Sequence, residues 1–598
     1  MKTVSFLVTN FLFSILAVLP LFFIMVVLNL PVNSELNERI ILLFILAVPV
    51  LILFLSTAGL KKILIQPGLQ EEKEVYNLNI LFVIIFFVAV LAVFIINIIL
   101  YSSFFISYYF LVAIIILISH AFIIFYLFYS KYRGSGHPVS IVTVMLIPFI
   151  TAVYLFSLQS PCSAETETAV QPVLKPSPKT LIMCIDGLSS NILDPYMEEN
   201  QDGFFHLAAS QGVYAGLETL FPTHSPVIWT TIASGMPPVN HGVLSFGRYR
   251  LFNQDAKGFA LLPKYAGLSK YFYLLTRAGL AGFYPNMSWD IKEPRIWDIM
   301  SNAGYEITVV NYPVSLPPSV INGFFLSETE FMTNFRDISY ERVYPKAMKS
   351  DTEDFLKRSR EEGEGIFKAE YMPFINSRDK HSIELAQRFF LSDYSILKTA
   401  EYIRSVKNPS SDADIVYIHG LDGNSHLFYG DYFSEIRERK RASDTYLGRY
   451  LRFIEDWMTC YIEEHDEDIM VFIFSDHGFV EKGLLGSIAD PFKPYLQGIH
   501  ENAPAGVFMA WGEDIDRESS PDNLSVYDIL PTLLYYYNLP ISREFKGNVM
   551  DIFALDGERK EIESYRGIKK DLYIKEKEID EKSLRKNEEM LKSLGYMN

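Results

Sequence analysis

Three polar clusters stand out because each follows an apolar run: Asp186 after TLIMCI, Asp422 and His426 within IVYIHGLDGNSH, and Asp476 with His477 after IMVFIF. A charged pair at the end of such a run is poorly explained by packing. In open α/β sheets, ligands collect outside the carboxyl ends of strands. Asp422 and His426 are four residues apart, which puts both on one face of a helix and is a common spacing for a metal pair. His500 adds a third imidazole ahead of the apolar GVFMAW. Ser225, in FPTHSPVIWTTIASG, precedes a helical run at 227–234. Its hydroxyl is therefore expected at a helix N-terminus, where free N–H groups and the dipole favour an anion. Carboxylate oxygens and imidazoles without thiolates suit zinc, or failing that manganese. Two such ions about 3.5–4 Å apart can clamp an in-line displacement at phosphorus, one of them activating a serine hydroxyl. Each cluster alone has a plainer explanation. Asp-Gly is a common turn, Asp-x-x-x-His arises by chance, and Ser-Pro often just opens a helix.

These residues need a scaffold that brings strand ends together. From Lys179 onward, short apolar runs alternate with helical patterns, the signature of an α/β domain. Strands are expected at 180–185, 306–311, 414–419, 469–475 and 506–510, and SVYDILPTLLYYYNLP is expected to close the core as a helix. Two stretches break the rhythm: 245–290, rich in Tyr, Phe and Gly, reads as an irregular insertion, and 330–385, charged and helical, as a cap. The catalytic domain is placed at 179–555, and the charged tail 556–598 reads as a solvated surface helix.

The first 159 residues differ in kind. Apolar runs at 4–30, 40–59, 78–100, 104–129 and 140–158 each approach or exceed the roughly 20 residues that cross a bilayer, so about five transmembrane helices are expected. Lys2, Lys61, Lys62, Lys73, Lys131 and Arg133 then fall on one side and Arg39 on the other. Basic loops mark the cytoplasmic side, which places everything after the 160–178 linker on the extracytoplasmic side, periplasmic or extracellular. Apart from His120, the runs hold almost no ionisable group, so anchoring is favoured over transport. The net charge of -17 argues against nucleic-acid binding. Three cysteines without a CxxC imply neither a disulfide framework nor a thiolate metal site.

Taken in order, CIDG, FPTHS…SG…HG, LDGNSH, SDHG and GIH…GVFMAWG resemble the alkaline phosphatase superfamily, nearest its type I phosphodiesterase/nucleotide pyrophosphatase branch. The resemblance covers about 179–550. It implies an alkaline-phosphatase-like mixed sheet flanked by helices, following the all-α transmembrane region. It implies that Asp186, Ser225, Asp476 and His477 bind the metal that activates Ser225, and that Asp422, His426 and His500 bind a second. Two divalent ions, zinc or manganese, and a phosphate-ester substrate are implied with it. That substrate could be a small molecule, a lipid head group or a glycan. Thr223 is kept as an alternative nucleophile. Ser225 is followed by Pro-Val-Ile, which lacks the sulfatase pattern. Two other readings stay open: transfer of a phospho-head group to a lipid or envelope glycan, and a catalytically silent binding protein of the same fold.

Overall fold

The computed structural model describes residues 84, 88, 91, 179–251, 276–328, 341–375, 379–464, 469–482, 495–500, 504–554, 559–568 and 572. The five apolar runs, three isolated helical positions aside, and the linker at 160–178 lie outside the described residues. Among the described residues no helix is long and apolar enough to cross a membrane. The chain divides into two compact units, one of 1–164 with 247–284, the other of 165–246 with 285–598. Most of the stretch expected as an insertion at 245–290 thus belongs to the first unit. The residues of the candidate site all belong to the second.

The second unit is built on a nine-stranded mixed sheet. Its strands are β1 (Lys179–Ile185), β2 (Val213–Glu218), β3 (Ile307–Val310), β4 (Gly323–Leu326), β5 (Val343–Tyr344), β6 (Ala413–Ile418), β7 (Ile469–Phe474), β8 (Gly506–Trp511) and β9 (Leu524–Ser525). They lie side by side in the order β9-β2-β8-β7-β1-β6-β3-β4-β5. The five expected strands are present as β1, β3, β6, β7 and β8. Parallel neighbours β6 and β7 flank β1, with Ile185 opposite Ile418 and Cys184 opposite Phe474. This register brings the carboxyl ends of the three central strands nearly level. The residues that follow, Asp186, His419 and Asp476, are consequently neighbours in space.

The same strands explain the two cores. Leu181, Met183 and Ile185 face one buried cluster with Val471 and Ile473, whereas Ile182 and Cys184 face the other with Phe472 and Phe474. Strands covered on both faces read as continuous apolar runs, which is why they were visible in the sequence. One face carries α1 (Ser190–Glu199), α2 (Phe204–Gln211), α6 (Lys380–Tyr402), α7 (Gly420–Arg437) and α8 (Tyr446–Glu463). The other carries α3 (Ser225–Ser234), α4 (Ile296–Asn302) and α9 (Ile529–Tyr536), the last within the expected closing helix. In α5 (Lys349–Ile366), only Thr352, Ser359 and Gly363 are buried. Asp379 caps α6 by accepting from the amides of His381 and Ser382. The stretch read as a cap, 330–385, therefore holds α5 and the start of α6, and α6 continues into the main core.

Helix α3 has the sequence SPVIWTTIAS, poor in strong helix formers, yet all its residues are buried. Its β-branched residues cost up to about 0.7 kcal/mol each in propensity. Burial of side chains such as Ile228, Trp229 and Ile232 contributes about 1.5–3 kcal/mol each, so tertiary packing decides. Thr230, Thr231 and Ser234 donate to the carbonyls four residues back at 2.6, 3.0 and 2.6 Å, which lets a hydroxyl-rich helix enter the core. Gly235, at φ 65, ends it in the left-handed conformation.

The tail departs from its expected form. Glu561–Ile562 is a short strand parallel to Ile541–Ser542, and Tyr565 and Ile568 are buried. Tyr565 donates to the Pro540 carbonyl, and Arg566 pairs with Glu293 and Glu544. Within the expected tail, Tyr565 and Ile568 thus join the buried cluster on one face of the sheet. Apart from position 572, residues beyond 568 lie outside the described residues.

Candidate active site

The structure brings all seven candidate residues to one end of the central sheet, and all are buried. Asp186 follows β1. Its Oδ2 accepts from Tyr417 Oη at 2.5 Å and from Trp229 Nε1 at 3.3 Å. Its Oδ1 lies 3.4 Å from Ser225 Oγ and 3.6 Å from His477 Nε2. The next residue, Gly187, has φ 70, and a Cβ there would come within 2.8 Å of Phe479 and 3.0 Å of Asp422. Only glycine permits that approach, which lets Gly187 N donate to Asp476 Oδ1 at 3.2 Å. Asp476 Oδ2 lies 3.4 Å from His477 Nε2 and is buried without a hydrogen-bond partner among the described residues.

Asp422 and His426 occupy the first two turns of α7, as their spacing requires, with His426 Nε2 3.8 Å from Asp422 Oδ2. Asp393, on α6, aims that helix: it accepts from the amides of His419 and Gly420 at 3.2 and 2.8 Å and from Tyr450 Oη at 2.8 Å. The His500 ring centre lies 4.3 Å from that of His477 and 5.0 Å from that of His426.

Two sets of atoms are close enough to share an ion. Ligand atoms of Asp186, Asp476 and His477 all lie within 4.8 Å of one another, and so do those of Asp422, His477 and His500. His477 Nε2 is also 3.9 Å from Asp422 Oδ1, so this imidazole borders both groups. The sequence reading assigned it to the first alone.

Hydrogen bonds on the far side of each ring settle which nitrogen faces the site. A carbonyl oxygen only accepts, so His426 Nδ1, 2.9 Å from Gly498 O, carries the proton, as does His477 Nδ1, 3.2 Å from Gly478 O. Thr223 Oγ1 donates to His500 O at 2.6 Å and therefore accepts from His500 Nδ1 at 3.1 Å. All three imidazoles thus carry their lone pair on Nε2, the form in which a histidine binds a metal through that nitrogen, and those of His477 and His426 lie beside the site's carboxylates. The carboxylates give the matching electrostatic signal. Burial, then repulsion from Asp422, pushes the Asp476 carboxyl up to about 7. Burial, Asp476 and Asp422 raise Asp186 well above its ordinary range. Buried like charges of this kind are stable when cations neutralise them. The orphaned Asp476 oxygen, the three oriented lone pairs and the crowded carboxylates all fit divalent ions.

Ser225 opens α3, with its Oγ 3.3 Å from His477 Nε2. The anion-binding helix end expected from the sequence is mostly spent. Pro226 has no N–H, and the amides of Val227 and Ile228 donate to His224 O at 2.9 and 3.1 Å. The first turn thus leaves at most one amide for a ligand. His241 is structural: it accepts from Val243 N at 3.2 Å and donates through Nε2 to Thr231 Oγ1 at 3.0 Å. Burial lowers its pKa to about 3. Tyr417, Asp393 and Tyr450 were not found from the sequence. An aromatic in an apolar strand or helix looks like core, and Asp393 meets α7 from 27 residues away.

Of the solved structures, murine ectonucleotide pyrophosphatase/phosphodiesterase 5, an inactive form in complex with AMP, aligns at 13% identity over 61% of this chain and 96% of its own, with a TM-score of 0.34. The alkaline phosphatase PafA aligns at 11% over 63% and 99%, TM-score 0.43. Phosphonoacetate hydrolase from Sinorhizobium meliloti 1021, in complex with phosphonoformate, aligns at 12% over 55% and 66%, TM-score 0.32. No curated protein matches the chain. The family model for type I phosphodiesterase/nucleotide pyrophosphatase matches residues 180–497, from β1 to the threshold of His500 and across six of the seven candidate residues. The chain belongs to that family, and with it to the phosphoric ester hydrolases.

Proposed function

We propose that this chain is a metal-dependent phosphohydrolase, cleaving phosphodiesters or phosphomonoesters through a phosphoserine at Ser225. In the same proposal residues 1–159 anchor it in a membrane and hold the catalytic domain on the extracytoplasmic side. One observation carries the catalytic reading: a buried serine hydroxyl lies 3.4 Å from Asp186 Oδ1 and 3.3 Å from His477 Nε2, and His477 belongs to both sets of clustered ligand atoms, with Asp186 and Asp476 and with Asp422 and His500.

Asp186, Asp476, His477 and Ser225 would hold one divalent ion, and Asp422, His426 and His500 a second, with zinc or manganese matching the donor set. When bound, such ions lower the pKa of a hydroxyl or water and neutralise charge on phosphoryl oxygens. Ser225 Oγ attacks phosphorus in line, the bond to the leaving oxygen breaks, and the departing alcohol takes up a proton. Water then attacks the phosphoserine, the Ser225 Oγ–phosphorus bond breaks, and the hydroxyl regains its proton. Asp186 orients the nucleophile through Oδ1 because Tyr417 and Trp229 occupy Oδ2. An acceptor alcohol replacing water in the second step would make the same site a transferase.

The test follows p-nitrophenyl phosphate and its diester with the full chain. Ser225→Ala is expected to lower turnover by about 10³-fold or more while cation content stays unchanged. Acid quenching of the wild type during turnover should trap a phosphoryl group on the peptide that carries Ser225. Wild-type-like turnover in the variant would sink the assignment. Products analysed with phospholipids present separate released phosphate from a transferred head group.

A further inference from the structure

We propose that Thr223 is the positioning residue for His500, tying the loop that carries Ser225 to the second cation position. The inference rests on the two-metal reading above.

His426 and His477 are oriented by backbone carbonyls, which can do nothing but accept. His500 is oriented by a hydroxyl, which can both donate and accept. A hydroxyl specifies a tautomer only if its own hydrogen is committed elsewhere. Here it is: Thr223 Oγ1 donates to His500 O at 2.6 Å, which leaves its lone pair for Nδ1–H at 3.1 Å. Both bonds go to the same residue. Thr223 therefore grips the backbone and the ring of His500 together, and the ring cannot turn without breaking one of them. Thr223 is 2% exposed, so water does not readily replace either bond. His500 follows the two-residue strand Gly498–Ile499, which pairs with Val480–Glu481 and is not part of the nine-stranded sheet that holds β1 and β7. A side-chain clamp is what such a position needs.

Thr223 stands two residues before Ser225, so a shift in the nucleophile loop displaces His500 with it. Its hydroxyl, committed in both directions, is a poor nucleophile, which gives the residue a role other than the one left open by the sequence.

Thr223→Val keeps the shape and removes both bonds, whereas Thr223→Ser restores them. Zinc and manganese uptake by the metal-free full chain would be titrated by calorimetry and elemental analysis, with wild type and His500→Ala as references. The expectation is two cations in wild type and one in His500→Ala. Thr223→Val should bind the second cation about 10–100-fold more weakly, with the first unchanged, and Thr223→Ser should return to within about threefold of wild type. Undiminished second-site affinity in Thr223→Val, beside a loss in His500→Ala, overturns the proposal alone. A wild type that takes up one cation, or a His500→Ala variant that keeps two, overturns the two-metal reading and the proposal together. Equal thermal midpoints of the metal-free proteins exclude a folding defect.

Discussion

Asp186, Asp476 and His477 sit on the ends of β1 and β7, whereas Asp422, His426 and His500 come from the first turns of a helix and from a loop. The difference is one of what holds them. Strand ends in a parallel ladder cannot slide without breaking several backbone hydrogen bonds, so the first group is set by the register of the sheet. The second group hangs on individual contacts: Asp393 at the start of α7, Gly498 O behind His426, and Thr223 behind His500. The nucleophile is thus placed against the rigid group, and the adjustable one faces it. Damage to the first group should be irreparable, and damage to the second graded.

The largest expected effect tests that asymmetry directly. Asp186→Ala should lower turnover by about 10³-fold or more, because Asp186 both contributes to a cation site and orients Ser225. Excess zinc should not restore it. His426→Ala should also lose activity, yet recover a substantial part of it as cation concentration rises, since two residues of its group remain. Equal recovery of the two variants in a zinc titration breaks the comparison.

A second contrast lies in charge. The first group has two carboxylates, with Asp422 close by, and both are raised above the 3.8 of an unperturbed aspartate, Asp476 to about 7. Between about pH 4 and 7 the folded, cation-free protein therefore holds more protons than the unfolded chain, so its stability falls as pH rises. The contribution is complete below pH 4 and lost as pH passes through about 7. Metal-free protein should consequently melt several degrees lower at pH 8 than at pH 5, about 5 °C or more, and added zinc should remove the difference at pH 8. Asp422→Asn, by removing a like charge, should flatten the slope. A melting temperature independent of pH in the metal-free state contradicts the charge crowding.

The smallest effect concerns Tyr417, whose hydroxyl holds Asp186 Oδ2. Tyr417→Phe leaves Trp229 as the remaining donor to that oxygen, and should weaken the first cation by about tenfold with little change in thermal midpoint once zinc is bound. An unchanged affinity would show that the strand end alone orients Asp186.

Much of this was legible because parallel strands buried on both faces leave apolar runs, and because each run here ends in its polar cluster. The strands β1, β6 and β7 were found for that reason, with Asp186, Asp422 and Asp476 just beyond them. Strands β2 and β9, near one edge of the sheet, and β4 and β5, of four and two residues at the other, were not found. The sequences of β2 and β9, VYAGLE and LS, lack a continuous apolar run. The start of the tail, at 561–568, departs from a solvated helix because charge and spacing do not show that Tyr565 and Ile568 pack into the core. The helix N-terminus at Ser225 was credited with amides that Pro226 cannot supply and that His224 O takes.

For FPTHSPVIWTTIASG, residue identity alone sets the chemistry that is possible: a serine at the start of a helix, and elsewhere the hard donors that suit divalent ions. Residue type decides this, since it sets charge, donor atoms and softness. The folded chain adds which oxygen of Asp186 faces the serine, which nitrogen of each histidine carries the proton, that His477 borders both groups, and that Thr223 grips His500. Those choices depend on hydrogen bonds between residues up to 277 positions apart. No local spacing encodes such partners, because they meet only once the sheet has brought its strand ends together.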